Sequence, residues 1–600
     1  MKLWGVIFAW LCTAQAILAQ DATLCGFVTE AQSGALAPCT VEITDSNGRL
    51  VLENDSFRAG FRCSGVFTKQ LPPGHTRIRV THGFETQRAE KELDLVEGHS
   101  SEVRFVLHRT VDLRSKGWYA GDSHVHMLHG ERTLPVSFEF VAETARAEDL
   151  QYLSLAQAWQ IQNPAPEFLA AELDSRSRTN CLLTWNLEAP KNYYQGDAGR
   201  CLGHCWNMGM RGRTREGADV IEVLLAASAW DYESAKPTFA NFESHSLIHE
   251  QAGVVFYTHP ARWWMGAWGG QGGYPKKDRM RISNMAVELP LDTVLGPTFD
   301  GLDLITGPGE FEANDKAFRI WSMLLDHGYR LAATGSSDAC FDRSGGAVPG
   351  IPRTYSYVPQ GFSLQKVTRA TAAGHTFVTT GPLLLATVDA RPPGSEFKTG
   401  QGDHVLAIEA WASGEDPRGL ARLQVLRNGQ LFRQWEWPDN PGFVRTNFTF
   451  REQERCWYCV RVWGCDATKQ RAITGAFYFG SYQPPEPVIA QVHARLVDAR
   501  SGARLKGSLT ELSYSGTLPR VGKRHGLQDG EANLRIPGTR RLRAEAAGYR
   551  SLVLSPVLDN PQLMTQITGL SDSDLLEWAT YERTRREFSN IELEFRLEAQ

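Results

Sequence analysis

Gly117-Trp-Tyr-Ala-Gly-Asp-Ser-His-Val-His126 decides how this chain is read. On a β-strand, side chains two apart point to the same face, so His124 and His126 stand side by side. Asp122 points the same way. Two imidazoles at a strand end are able to share one metal ion, and they are equally able to form a polar strand edge. The neighbouring sequence decides between these readings.

Outward from that stretch, residues from about 113 to 385 alternate short apolar strands with amphipathic segments of helical period. Val136 to Glu148, Phe242 to Ala252 and Asp315 to His327 have the helical period. Cys181-Leu-Leu-Thr184, Val254-Val-Phe-Tyr257, Leu302-Asp-Leu-Ile305 and Leu331-Ala-Ala-Thr334 read as strands. Repeated β–α units imply a parallel sheet, and this many in one domain implies a barrel or barrel-like α/β fold, with its site at the C-terminal strand ends. Candidate ligands fall there: Glu188 after Leu182-Leu-Thr-Trp-Asn-Leu, His204 in a Gly/Cys-rich turn, His259 after Val254-Val-Phe-Tyr-Thr, and Asp338 after Leu331-Ala-Ala-Thr-Gly-Ser-Ser. Strand-terminal polarity explains any one of these, but not His, Glu, His, His and Asp ending successive strands. The N/O donor set points to a divalent metal.

The flanks differ. From Cys25 to Leu107, short alternating strands with Ser46-Asn-Gly48 and Leu71-Pro-Pro-Gly74 turns read as a small β-sandwich. Its opening recurs late: Ala31-Gln-Ser-Gly34-Ala35 returns as Ala499-Arg-Ser-Gly502-Ala503. The Pro-Gly turn before an Arg-rich strand returns as Ile536-Pro-Gly538, and Gly83-Phe84 as Gly548-Tyr549. Two diverged copies of one module therefore flank the chain. Residues 386–483 read as a further β-sandwich, and Gln483-Pro-Pro-Glu-Pro487 as a linker.

At 600 residues the chain exceeds any single core. Its net charge of -5, without clusters, argues against a nucleic-acid partner or a polybasic anchor. Met1-Lys2, the apolar run Leu3 to Leu11 and small residues at Ala14, Ala16 and Ala19 read as an export signal, 1–19. No other run is long enough to span a bilayer, so the expectation is a secreted or periplasmic protein with no integral membrane segment after cleavage. In such a compartment some of the ten cysteines left after removal of Cys12 should pair, but spacing leaves the connectivity open. Cys456-Trp-Tyr-Cys459 has redox spacing, yet Val460-Arg-Val462 after it reads as strand, which favours a structural role.

Gly121-Asp-Ser-His-Val-His126, Glu188, Gly203-His204, Thr258-His-Pro260 and Gly335-Ser-Ser-Asp338 together resemble the PHP (polymerase and histidinol phosphatase) superfamily. Ala147-Glu-Asp-Leu150, Pro352-Arg-Thr-Tyr355 and Ala373-Gly-His-Thr-Phe-Val-Thr-Thr-Gly-Pro382 are similar to its CehA/McbA metallohydrolase branch. The flanking modules resemble the transthyretin-like or carboxypeptidase-regulatory-like domain. The resemblance implies a multidomain protein: a carboxypeptidase-regulatory-like β-sandwich at 20–112, an α/β PHP-type distorted (β/α)7 barrel at 113–385, a β-sandwich at 386–483, and a second regulatory-like β domain at 484–600. It implies two or three divalent ions (Zn, Mn or Fe) held by His124, His126, Glu188, His204, His259 and Asp338, with His204, His259 and Asp338 in the catalytic set. Asp122 would orient an imidazole. The family's last motif commonly reads Asp-x-His, whereas here it is Asp338-Ala-Cys340. Either Cys340 is a thiolate ligand, or that ligand is absent and fewer metals bind; His129 is another replacement.

The expected chemistry is hydrolysis by metal-bound hydroxide, with a second ion polarising the oxygen under attack. The substrate class is a phosphoester or a carbamate or amide ester, on a small or carbohydrate-linked molecule. Lys191 and Arg262 lie within a few residues of ligands and are the candidate substrate cations, with exposed surface charge as the plainer alternative. His245 and His249 have zinc-protease spacing but lack the intervening Glu, so they read as helix packing. Trp263-Trp264 and Trp268, before Gly269-Gly-Gln-Gly-Gly273, read as interface packing or as a glycine-hinged loop at the cleft. The reading from a different class is a non-catalytic secreted binding protein built on a vestigial barrel.

Overall fold

The structure, a computed structural model, describes residues 21–52, 60–127, 136–157, 171, 173–193, 201–227, 239–261, 263–264, 282–283, 285–296, 298–307, 311–342, 347–416, 418–466 and 470–600. The chain is multidomain and rich in β-sheet.

Seven strands open it: β1 (Ala22–Glu30), β2 (Cys39–Thr44), β3 (Phe61–Cys63), β4 (Val66–Leu71), β5 (Gly74–Thr81), β6 (Ala89–Leu95) and β7 (Ser100–Leu107). They form two sheets, β4-β1-β7 and β3-β2-β5-β6. β1 alternates buried and half-buried residues along Ala22 to Val28, the period-2 pattern of a strand with one face on a core. Leu24, Val28, Val41, Ile43, Phe61, Ile78 and Phe105 fill the space between the sheets as a core of their own.

Next come β8 (Trp118–His126), α1 (Phe138–Ala147), β9 (Tyr152–Gln157), β10 (Leu182–Tyr193), β11 (Cys201–Met208), α2 (Val220–Ala227), α3 (Asn241–Glu250), β12 (Val254–Tyr257), β13 (Trp263–Trp264), β14 (Ile282–Ser283), α4 (Leu289–Val294), β15 (Gly301–Thr306), α5 (Phe311–Asp326), β16 (Ala332–Ser336) and β17 (Ala339–Cys340). β12, β15 and β16 are buried along their whole length, as sheets covered on both faces require. Ser137 caps α1 by accepting from the Phe140 amide at 3.1 Å.

The strand order is β16-β15-β12-β11-β10-β9-β8. Immediately past β16 the chain pairs in parallel with β8, Ala339 opposite Val125 and Cys340 opposite His126, so the two ends of the seven-strand series meet. The all-parallel expectation is corrected at one place: β11 is antiparallel to both β10 and β12. Only a short link joins Tyr193 to Cys201, too short for the crossover that parallel neighbours need. His204, expected in a turn, consequently sits inside a strand.

β18 (Arg353–Tyr357), α6 (Leu364–Ala372) and β19 (Thr376–Thr379) carry the sheet outward from the other side of β8. β19 pairs with Arg471–Thr474, so the large sheet runs without a break into the strands of residues 420–464. A second sheet (Leu383–Val388, His404–Trp411, Phe443–Phe450) covers those strands. The last hundred residues repeat the opening layout, with sheets built on Ile489–Asp498 and Gly507–Ser515. Their core is continuous with that of the preceding residues, whereas the N-terminal core is separate. No helix among the described residues is long and apolar enough to cross a membrane.

Candidate metal centre

β8 arrives with both faces buried, so its polar residues are held among protein atoms. Gly121 is required where it stands: a Cβ there would lie 2.0 Å from the Tyr152 ring on β9. Three and five residues on, His124 and His126 present their Nε2 atoms to one another at 3.0 Å. Asp338 Oδ1 lies 3.6 Å from His124 Nε2 and 3.4 Å from His126 Nε2. The donor atoms of these three lie within 4.8 Å of one another.

Glu188, His204 and His259 form a second group of the same compactness. The β10–β11 ladder brings the first two together, with His204 Nδ1 2.8 Å from Glu188 Oε1. Gly203 beside it has φ +133, and a Cβ there would meet Tyr257 and Ala286. His259 follows the end of β12, its Nε2 3.6 Å from Glu188 Oε1. Glu188 also faces the first group, with Oε1 3.7 Å from His124 Nε2 and Oε2 3.5 Å from His126 Nε2. The six expected ligands thus converge, with Glu188 of the second triplet also facing the first. His259 (φ +32) and Asp338 (φ +52) both hold left-handed backbone, which non-glycine residues adopt at a cost that surrounding structure must offset.

Such a set fits divalent cations. Imidazoles and carboxylates turn their lone-pair atoms inward over a few ångströms, with no thiolate in either triplet. The electrostatics agree. Burial alone would lower the His124 pKa, but Asp338 and Glu188 outweigh it and raise it to about 8, so the site attracts positive charge. For His126 burial wins and the pKa falls below its ordinary value, which leaves a neutral ring able to donate a lone pair.

The residues behind the donors were only partly legible in the sequence. Asp122 is fully buried, and its carboxylate holds backbone rather than an imidazole. Oδ1 accepts from the His124 and Ser337 amides at 3.3 and 3.2 Å, and Oδ2 from Ser337 Oγ at 2.5 Å and the Gly350 amide at 2.7 Å. Burial pushes this carboxyl up to about 6, with those donors pulling it back. The group on the His124 ring is Thr258, whose Oγ1 lies 3.2 Å from Nδ1. Asp303, the acid inside the apolar strand β15, accepts from Trp206 Nε1 at 2.8 Å, Ser336 Oγ at 2.6 Å and Thr334 Oγ1 at 2.8 Å. An acid in a strand otherwise reading as core was the available signal. Ser336 and Ser337 are thereby committed to carboxylates.

Cys340 is buried opposite His126 in the ladder, its Sγ 3.8 Å from the Asp338 carbonyl oxygen, and belongs to neither triplet. Lys191 lies opposite His204 on β10; its side chain, His129, Arg262, Trp268 and the glycine run 269–273 are outside the described residues. His245 contacts Thr298 Oγ1 at 3.0 Å and His249 contacts Asp300 at 3.0 Å, so both pack on neighbours away from the centre.

No family model matches the chain, and no curated protein does. Several solved structures align weakly. A two-domain protein from Bacteroides vulgatus, described as containing a predicted PHP-like metal-dependent phosphoesterase, covers 60% of this chain and 94% of its own at 12% identity and a TM-score of 0.30. The major pilin subunit of Bacillus cereus covers 97% and 100% at 6% identity and 0.21. The CARDB domain of a Pyrococcus furiosus protein, in complex with di-metal ions, covers 17% and 94% at 12% identity and 0.12. None of these scores reaches the level at which two chains share an overall fold.

Proposed function

We propose that this chain is a metal-dependent hydrolase of phosphoesters or of carbamate or amide esters. The observation that carries the reading is the convergence of His124, His126, Glu188, His204, His259 and Asp338 in two adjoining compact groups, all but Asp338 buried. The seven-strand series closed by the β17–β8 pairing supports a distorted (β/α)7 barrel of the PHP type, in the CehA/McbA branch that the motifs resemble. The remaining parts of the proposal are a signal at 1–19, export, and β domains at 20–112, 386–483 and 484–600.

His124, His126 and Asp338 would hold one divalent ion and Glu188, His204 and His259 another, with Glu188 facing both groups. Ions bound there would lower the pKa of water and would stabilise negative charge on an oxygen under attack. Thr258 fixes the His124 ring so that Nε2 faces inward. Asp122, joined to Ser337 and Gly350, holds the corner that carries Asp338. The Asp338 side chain is 20% exposed, the most open of the six donors, and would be the one placed to accept a proton from a water on the solvent side. The buried histidines and Glu188 keep bulk water from the other side.

The test is metal content and turnover together. Protein purified without chelator should carry Zn, Mn or Fe and cleave at least one of a phosphomonoester, a phosphodiester and an aryl carbamate. His126→Ala and His259→Ala, folded by circular dichroism, should each lose metal and turnover by at least a hundredfold. Metal retained in both variants, or no uptake by the parent on adding Zn or Mn, sinks the reading.

A further inference from the structure

The N-terminal β-sandwich has its own apolar core and meets the rest of the chain through a polar junction, at which two thiols lie side by side. Cys39 on β2 and Cys63 on β3 are direct partners in the antiparallel ladder, and their Sγ atoms are 3.5 Å apart. Cross-strand partners have Cα separations of about 4.5–5.5 Å, inside the range that a disulfide spans. Bonding needs only a small rotation of the side chains. Cys25, Cys456 and Cys459 are placed differently. Cys25 points outward from β1 to Ser100 and Thr68. Cys456 and Cys459, three apart on one strand, point to opposite faces.

The next rung of the same ladder, Thr40 opposite Arg62, grips the centre of the junction. Thr40 Oγ1 donates to Glu148 Oε1 at 3.3 Å, and Arg62 Nη2 lies 3.8 Å from the same oxygen. Glu148 ends α1, and its other oxygen meets Arg353 Nη2 of β18 at 3.5 Å. Arg353 lies over the Phe84 ring at 3.9 Å and donates through Nε to the Gly350 carbonyl at 2.7 Å; the Gly350 amide donates to Asp122. Polar contacts through Thr40, Arg62, Glu148, Arg353 and the Gly350 backbone therefore run from the rung beside the thiol pair to the carboxylate behind His124.

We propose that Cys39 and Cys63 form an intramolecular disulfide that staples the short strand β3 to β2 and holds the Thr40–Arg62 grip on Glu148. With oxidised glutathione as oxidant, the half-buried Cys63 thiolate attacks one glutathione sulfur and releases one glutathione thiolate. The Cys39 thiolate then attacks the Cys63 sulfur and releases the second. The two thiol protons pass to the two glutathione thiolates, the protein pair is oxidised and one glutathione disulfide is reduced. The Cys39 thiol, held up by the neighbouring Cys63 sulfur and by burial, is the slower to ionise and fits the second step.

Purified full-length protein is incubated with oxidised glutathione, its remaining thiols are alkylated, and peptides are mapped without reduction. Expected is a Cys39–Cys63 linkage, with amide exchange at Phe61–Cys63 slowed on the order of tenfold against the reduced protein, and no response to oxidant in Cys63→Ala. Glutathione left on Cys63 with Cys39 alkylated, or Cys63 joined to Cys25, overturns the pairing. A mapped linkage that leaves exchange in β3 unchanged overturns the stapling. Purified protein with added oxidant makes the outcome independent of the compartment and of the metal centre.

Discussion

At the scale of single residues, the centre depends on side chains that do not themselves belong to the donor triplets. Thr258 is the sharpest case, because its hydroxyl faces the far nitrogen of His124. Thr258→Val keeps the shape and removes that contact. Partners of this kind typically tune metal affinity by about 10–100-fold, and a loss of that size in a competitive chelator titration is expected for this variant. Unchanged affinity would mean that β8 alone sets the ring. The left-handed backbone of His259 and Asp338 belongs to the same scale, since it turns side chains inward that a relaxed strand end would splay.

At the scale of elements, close approach of strands brings the donors to one point. β8 and β9 come together over Gly121, where any side chain would enter the Tyr152 ring. Gly121→Ala is expected to destabilise by about 1–3 kcal/mol or more through overpacking, read as an earlier urea midpoint with an unchanged slope. The β10–β11 hairpin is the second such device, because reversal of the chain sets His204 against Glu188. These elements were well marked in the sequence: the predicted strands at 254–257 and 302–305 and the helix at 315–327 lie where the structure has them. The strand at β11 was not marked, because the glycine and cysteines around His204 read as a turn.

At the scale of the whole molecule, the C-terminal residues are fastened to α3 by a buried ion pair. Arg541 Nε donates to Glu243 Oε1 at 2.7 Å and Nη2 to Oε2 at 2.5 Å, with the guanidinium between Phe239 and Tyr514 at 4.8 and 4.6 Å. Removing one partner of a buried pair leaves the other charge stranded, so Glu243→Ala is expected to cost about 3–5 kcal/mol in global stability. Replacing both, as Glu243→Leu with Arg541→Met, should recover most of it. The comparison is made by chemical denaturation. α3 leads into β12 and His259, so this attachment also steadies one wall of the centre.

A pH dependence belongs to the same scale. Asp292 on α4 is fully buried against Tyr257, with His245 Nδ1 at 3.6 Å and Glu288 nearby. Burial pushes its carboxyl up to about 8. A folded pKa above the unfolded value means that folding takes up a proton. Its contribution to stability is fully present below about pH 4 and is lost as pH rises through about 8. Asp292→Asn, always neutral, should flatten the fall in melting temperature between pH 5 and pH 8, whereas an identical fall in both proteins would assign it elsewhere.

From sequence alone came the nature of the donors and their order along the chain: an His-x-His pair, an acid, two further histidines and a last acid, with His126, His259 and Asp338 at or just past strand ends as expected and Glu188 and His204 inside strands instead. Nature and order are short-range properties, and one sequence states them in full. Only the tertiary structure decided that Glu188 of one triplet also faces the other, that Asp122 holds backbone while Thr258 holds the ring, and that Cys39 lies against Cys63. Each of these is a meeting of segments tens to hundreds of residues apart. Such meetings depend on strand direction, register and ring closure, which come from packing the whole chain at once and leave no local trace.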